Sequence, residues 1–397
     1  MTPPARTPAP TGTPTGTPTL AFVESPVQLL NVLEWEYARR GGRLLGAVPH
    51  QPARGGGAGP RPAAAAAPPP PPLRIVVLPP TDPMSRGQLR RMAALARDEG
   101  HEVRWQEARG GRLAPLRALA ALARDVRSAR RVVIGDPFSR YVQLLLTLVR
   151  ATELVVVDDG TATMEFVART ARGERLVRWH RAGGGGLPGR LRELAYAPVS
   201  AIARRRFTPA AGSGHGVEVF SSMPVTAPHA GMTVRLNDFA WTRARYGPPR
   251  LTKGTDLVGT SLVETGVVDP DRYREAVCAL AAEHGATRYF AHRRESPEKL
   301  RALSEATGLE IVRPDLPLEL VARRGPVGRT IVSFPSTVVH TLPYALAGTG
   351  VSVAVCEVDP GWLARGASAR ARGFLAGVTE TARDVRRLPA QTALAAR

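Results

Sequence analysis

The sequence is short of lysine, cysteine, aromatics and long apolar runs, and each shortage narrows what the chain can be. Of 54 basic residues only Lys253 and Lys299 are lysines. There are two cysteines, Cys278 and Cys356. Both lie in apolar stretches with no CxxC and no metal-ligand spacing, so buried reduced thiols are expected rather than disulfides or a metal centre. Aromatics make up 5% of the chain, and no basic stripe is interleaved with them. That disfavours nucleic acid as a partner, because single strands are held by stacking on aromatic rings. No uncharged apolar run reaches the roughly 18 residues of a membrane span. The first residues are Thr-Pro repeats where a signal peptide would carry an apolar core, so a cytoplasmic location is expected. No HExxH or P-loop is present, no GxGxxG follows the first strand, and no metal site is expected.

What is present is arginine, glycine and proline. The net charge is +20, with 39 Gly and 37 Pro in 397 residues. The arginine excess reads as the codon bias of a GC-rich bacterial genome. A surplus this large suits anionic partners such as nucleotides, acidic glycans or, peripherally, an anionic membrane. The length favours two domains. Residues 1–18 and 47–72 are low-complexity, and both are expected to be disordered, as a tail and an insert. Between and beyond them, strand-type runs alternate with helical patterns. Strands are expected near 20–23, 74–78, 102–105, 132–134, 154–157 and 217–220, then near 256–258, 288–291, 310–312, 330–334 and 351–355. That alternation predicts an α/β chain with parallel sheets covered by helices on both faces. The break at Pro248-Pro249 divides a domain spanning 19–248 from one spanning 249–397. Two Rossmann-like halves with a cleft between them are the GT-B pattern.

The candidate functional residues stand at strand-to-helix junctions, where ligands bind in open α/β sheets. Leu154-Val155-Val156-Val157 runs into Asp158-Asp159-Gly160. A carboxylate there can take a proton from a hydroxyl as its oxygen attacks, and a second acid can raise its pKa and orient it. The same residues also make an ordinary helix-capping turn, and spacing leaves both readings open. His292-Arg293-Arg294 suits a phosphate, or a polar loop on an arginine-rich surface. Ser336-Thr337 opens a helix, either as an anion site or as a plain cap. Glu319 can accept from a ribose diol or simply favour a helix dipole. Ser25, with Pro26 and Gln28, forms a capping box for the first helix.

Taken together, these residues resemble a family. Phe22-Val23-Glu24-Ser25-Pro26-Val27-Gln28-Leu29-Leu30-Asn31 is similar to the N-terminal motif of bacterial α-2,8-polysialyltransferase-like proteins and related bacterial sialyltransferases. Asp158-Asp159-Gly160 matches their acidic D/E-D/E-G motif. His292 matches the histidine of their HP motif, although Arg293 stands in place of the proline. Ser336-Thr337 matches their paired hydroxyl motif, and Gly259-Thr260-Ser261-Leu262-Val263-Glu264 resembles their first C-domain loop. The resemblance implies a GT-B glycosyltransferase that moves sialic acid from a CMP-sugar to a glycan hydroxyl, with inversion and without metal or cofactor. It makes Asp158 the general base with Asp159 in support. It makes His292 catalytic too, contacting the CMP phosphate and assisting its departure, and gives His292, Arg293, Gly259, Thr260, Glu264, Ser336 and Thr337 to the donor, and Glu319 to its ribose. A GT-B enzyme with another nucleotide-activated donor, or a nucleotide-sugar-binding protein without catalysis, is the alternative.

Overall fold

The computed structural model describes residues 18–42, 73–109, 111, 114–177, 187–210, 212–225 and 228–390. The expected tail and insert lie almost wholly outside the described residues.

The chain forms two parallel sheets. The first contains β1 (Thr19–Val23), β2 (Arg74–Val77), β3 (Glu102–Trp105), β4 (Arg131–Ile134), β5 (Glu153–Val157), β6 (Gly216–Ser221) and β7 (Met232–Leu236), in the order β3-β2-β1-β4-β5-β6-β7. The second contains β8 (Leu251–Val258), β9 (Ala286–Phe290), β10 (Glu310–Val312), β11 (Val327–Ser333), β12 (Ser352–Cys356) and β13 (Arg386–Leu388), in the order β10-β9-β8-β11-β12-β13. Both orders run outward from the first strand in one direction and then return to its other side, which is the doubly wound arrangement with a switch point beside that first strand.

Alternation within each strand explains the apolar runs. Leu20 and Phe22 enter one core cluster, while Ala21 and Val23 enter the cluster on the opposite face. Leu154 and Val156 separate from Val155 and Val157 in the same way. A strand buried on both faces has no polar side to show, so it reads as a continuous apolar run. The second sheet repeats this, with Leu257 on one face and Val258 on the other.

The first helix begins where the sequence expects it. In α1 (Pro26–Arg39), Ser25 Oγ accepts from the N–H of Gln28 at 3.2 Å. Gln28 Oε1 accepts from Glu24 N–H, one residue before the cap, at 2.7 Å. One N–H of the first turn and one just outside the helix are thereby paired at its entry. Helix α2 (Pro83–Asp98) starts earlier than its apolar pattern, because Asp82 caps it and accepts from Ser85 N–H at 2.7 Å. Helices α3 (Ala114–Ser128), α4 (Arg140–Leu146), α5 (Thr161–Ala171) and α6 (Leu187–Phe207) complete the first half. The short α7 (Ala240–Arg245) leads to β8. The second half adds α8 (Pro270–His284), α9 (Pro297–Thr307), α10 (Leu318–Arg324), α11 (Val338–Ala345) and α12 (Ala369–Thr381). No helix among the described residues is long and apolar enough to cross a membrane.

Sequence reasoning misses β7, α7 and β13 and begins β8 too late. β7 and β13 are edge strands with mostly exposed patterns. The first half of β8 is likewise half-exposed. Such segments lack the apolar periodicity on which strand assignment depends.

The two halves share packing. Leu316, Leu320 and Ala345 from the second half join the cluster built on Leu29, Val157, Phe239 and Trp241. Gln88 Nε2 donates to Pro314 O at 2.8 Å, and Arg243 donates to Tyr344 O at 3.1 Å.

Candidate active site

The strand ends of the two sheets face one another across a cleft of about 350 Å³. Ser25, Asn31, Asp158, Asp159 and Gly160 line it from the first half. Gly259, Thr260, His292, Arg293, Glu319, Ser336 and Thr337 line it from the second. Residues up to 312 apart in the chain therefore meet in one place. Glu264 does not line the cleft, and its carboxylate lies 3.3 Å from Lys299 Nζ instead.

The two acids have different surroundings. Asp158 is 2% exposed. Its Oδ1 accepts from Ser221 Oγ at 2.5 Å, and its Oδ2 accepts from Ser222 N–H at 2.6 Å and Ser222 Oγ at 3.0 Å. Burial pushes its pKa up to about 6 against those donors. Its carbonyl accepts from Asn31 Nδ2 at 3.0 Å, and Asn31 Oδ1 accepts in turn from Asn237 Nδ2 at 2.9 Å. Asp158 thus fixes the end of β5 against α1, β6 and the segment after β7. Asp159 is half-buried at the cleft surface, and its N–H donates to Thr163 Oγ1 at 3.2 Å. Glu24, at the end of β1, is held by Arg109 at 2.8 Å and accepts from Ser139 Oγ at 2.7 Å. Burial raises the Glu24 pKa, and the charge of Asp159 adds to that rise.

Gly160 lets the acid turn approach the other half. Its φ is +67°, and a Cβ there would come within 2.6 Å of Thr337 Cγ2. Only glycine meets both conditions at little cost.

On the opposite wall, Thr337 is the N-cap residue of α11, and no side chain caps the helix. Ser336 Oγ lies 3.1 Å from Ser333 Oγ. Two hydroxyls and an uncapped helix start leave donors facing the cleft, which suits an oxyanion. Glu319 is 5% exposed and accepts from Thr341 Oγ1 at 2.6 Å; burial raises its pKa.

His292 sits in a turn closed by Glu295 N–H donating to His292 O at 3.0 Å. Its Nδ1 accepts from Arg294 N–H at 3.2 Å. The proton of the neutral ring therefore belongs on Nε2. Burial, then Arg293, Arg294 and Lys299, lowers its pKa to about 4. The ring is an uncharged donor at neutral pH. With arginine rather than proline at position 293, the loop is held by the Glu295 carboxylate, which accepts the His292 N–H at 2.6 Å.

Sequence reasoning did not single out Ser221, Ser222, Asn31, Glu295 or Lys299. The two serines follow a strand and could have been flagged by position. Glu295 and Lys299 carry no motif, since only the fold brings them against the β8 loop. Among the described residues no cluster of histidine, cysteine and carboxylates could hold a metal ion.

The architecture is GT-B. Two doubly wound sheets with their carboxyl ends turned to a common cleft define it, and the topology of this chain carries that statement by itself. No family profile matches the chain, and no curated protein matches it. Among solved structures it is similar to an α/β-galactoside α-2,3-sialyltransferase from Photobacterium phosphoreum, with 9% identity, a TM-score of 0.49 and coverage of 94% of this chain and 98% of that one. A putative UDP-N-acetylglucosamine 2-epimerase from Listeria monocytogenes matches with 12% identity, a TM-score of 0.47 and coverage of 86% and 80%. The E. coli heptosyltransferase WaaC, solved with ADP-2-deoxy-2-fluoro heptose, matches with 12% identity, a TM-score of 0.38 and coverage of 87% and 90%.

Proposed function

We propose that the protein is an inverting glycosyltransferase that moves sialic acid from a CMP-sugar to a glycan hydroxyl without a metal. The observation that carries this is the meeting of the acidic turn of one half with His292, Ser336 and Thr337 of the other in a single cleft. In this reading Asp159, not Asp158, is the base. A base must reach the acceptor oxygen. Asp159 is half-buried at the cleft surface, while Asp158 is 2% exposed. Asp158 holds the turn that aims Asp159.

In the reaction, Asp159 takes the acceptor proton as that oxygen bonds to the anomeric carbon. The carbon's bond to the CMP phosphate oxygen breaks on the opposite face, and its electron pair leaves with the phosphate. His292 Nε2–H, Ser336, Thr337 and the start of α11 donate to the phosphate as its charge grows. These donors take the place a divalent cation would otherwise fill. Glu319 accepts from the ribose hydroxyls. The glycan acceptor enters from the half that carries Asp159, and the +20 charge favours anionic partners on both sides.

The test is transfer from CMP-sialic acid by the parental protein, Asp159→Asn and Asp158→Asn. Asp159→Asn is expected to bind CMP as the parent does and to lose about 10²–10⁴ in transfer rate. Transfer at the parental rate by Asp159→Asn would sink the base assignment.

A further inference from the structure

In a chain that uses arginine for almost every cation, Lys299 holds a position that a guanidinium fork fits poorly. Its Nζ lies 2.8 Å from Glu295 Oε1, 3.3 Å from Glu264 Oε1 and 3.4 Å from Thr260 O. It also sits 4.1 Å from the centre of the Tyr273 ring. Four partners in different directions suit a compact ammonium, not a planar fork.

Glu295 is the other half of this arrangement and is 3% exposed. Its carboxylate accepts from His292 N–H at 2.6 Å and from Tyr289 O–H at 2.7 Å. Tyr289 lies 2.8 Å from the Tyr273 hydroxyl, which accepts from Thr260 N–H at 3.4 Å. A continuous hydrogen-bonded path therefore runs from the loop after β8 to the loop after β9. Lys299 closes it into a ring by touching both ends. The backbone has been drawn in to allow this, since a Cβ on Gly259 would lie 2.1 Å from Glu295 Oε2. Neither Glu295 nor Lys299 lines the cleft, yet the loops they join supply Gly259, Thr260 and His292 to it.

We propose that the buried Glu295–Lys299 pair is a positioning device that locks the β8 and β9 loops in one register, so that both present their donors to the nucleotide together. The proposal rests on the nucleotide-binding reading of the cleft. Glu295 and Lys299 do not touch the substrate; they act through His292 and Thr260. A buried charge pair of this kind is retained for geometry more than for stability, because replacing it with apolar groups is often neutral.

Two measurements test it. The first needs no ligand. Amide hydrogen exchange is followed in the parental protein, Glu295→Gln, Lys299→Arg and Tyr273→Phe. A glutamine offers one acceptor oxygen where three donors converge, and Tyr273→Phe cuts the path with little change of shape. Each substitution is expected to speed exchange in both loops, 259–264 and 292–295. Faster exchange in only the loop nearest the substitution would overturn the lock. Tyr273→Phe keeps the test valid if Glu295→Gln does not fold.

The second is CMP affinity by calorimetry in a double-mutant cycle of Glu295→Gln and His292→Ala. Each single change is expected to weaken CMP about tenfold, and the pair together by little more, since His292 contributes only when held. Fully additive losses, or parental affinity in Glu295→Gln, would overturn the positioning role. If the parental protein binds no CMP, the nucleotide reading falls, while the exchange result still decides whether the loops are locked.

Discussion

Asp158 and Asp159 are adjacent residues with opposite exposures, and their substitutions should separate accordingly. Asp158→Asn puts an amide N–H₂ where one of Ser221 and Ser222 donates, so the turn loosens. Thermal unfolding should fall measurably, with a partial loss of transfer. Asp159→Asn should leave unfolding near parental while transfer collapses. If Asp158→Asn were the more damaging to rate and harmless to stability, the roles assigned to the pair would be reversed. Gly160→Ala tests the approach to Thr337. The backbone there costs about 1–3 kcal/mol for a residue with a side chain. The added methyl must also displace Thr337 Cγ2. Loss of transfer with CMP affinity reduced is expected, and Thr337→Ser should recover only the steric part of that loss. Full recovery would mean that backbone conformation at Gly160 is unimportant.

At the scale of elements, Glu34 on α1 makes stability depend on pH. It is 1% exposed and accepts from Trp241 N–H, Thr242 N–H and Thr242 Oγ1, which caps α7. Burial raises its pKa from 4.5 to about 7. The folded state therefore holds this proton more tightly than the unfolded chain does. Its contribution is full below about 4.5 and is lost as pH rises through about 7. The shift corresponds to about 3 kcal/mol. His101 and His292 act in the opposite sense. Burial, the first cause at both, lowers their pKa values to about 4, so stability falls as pH drops from 6.5 towards 4. Glu34→Gln should flatten the decline between pH 4.5 and 7 in denaturant unfolding, and an unchanged slope would remove Glu34 from the account.

Most of this element layer was legible in the sequence. Val-rich runs, the Ser25-Pro26-Gln28 entry and the helix that follows Ser336-Thr337 are local signals, and the structure carries them at those positions. The edges were illegible, because β7 and β13 bury little and so leave no periodicity. The candidate residues were legible as strand ends. Their partners were not, since the carboxylate of Asp158 meets Ser221, 63 residues away, and His292 owes its turn to Glu295. Exposure, which separates Asp159 from Asp158, has no local signature in two identical adjacent residues.

For the whole molecule, the proposed reaction divides the work between the two halves: one would position an acceptor base and the other would hold the nucleotide. The close approach of Gly160 to Thr337, with the shared packing of Leu316, Leu320 and Ala345, joins those halves. The measurement that tests this most directly is binding of CMP, CDP, UDP and GDP to the parental protein by calorimetry. The account predicts that CMP binds and that Ser336→Ala with Thr337→Ala abolishes most of that affinity. Binding of UDP or GDP with none of CMP would contradict it.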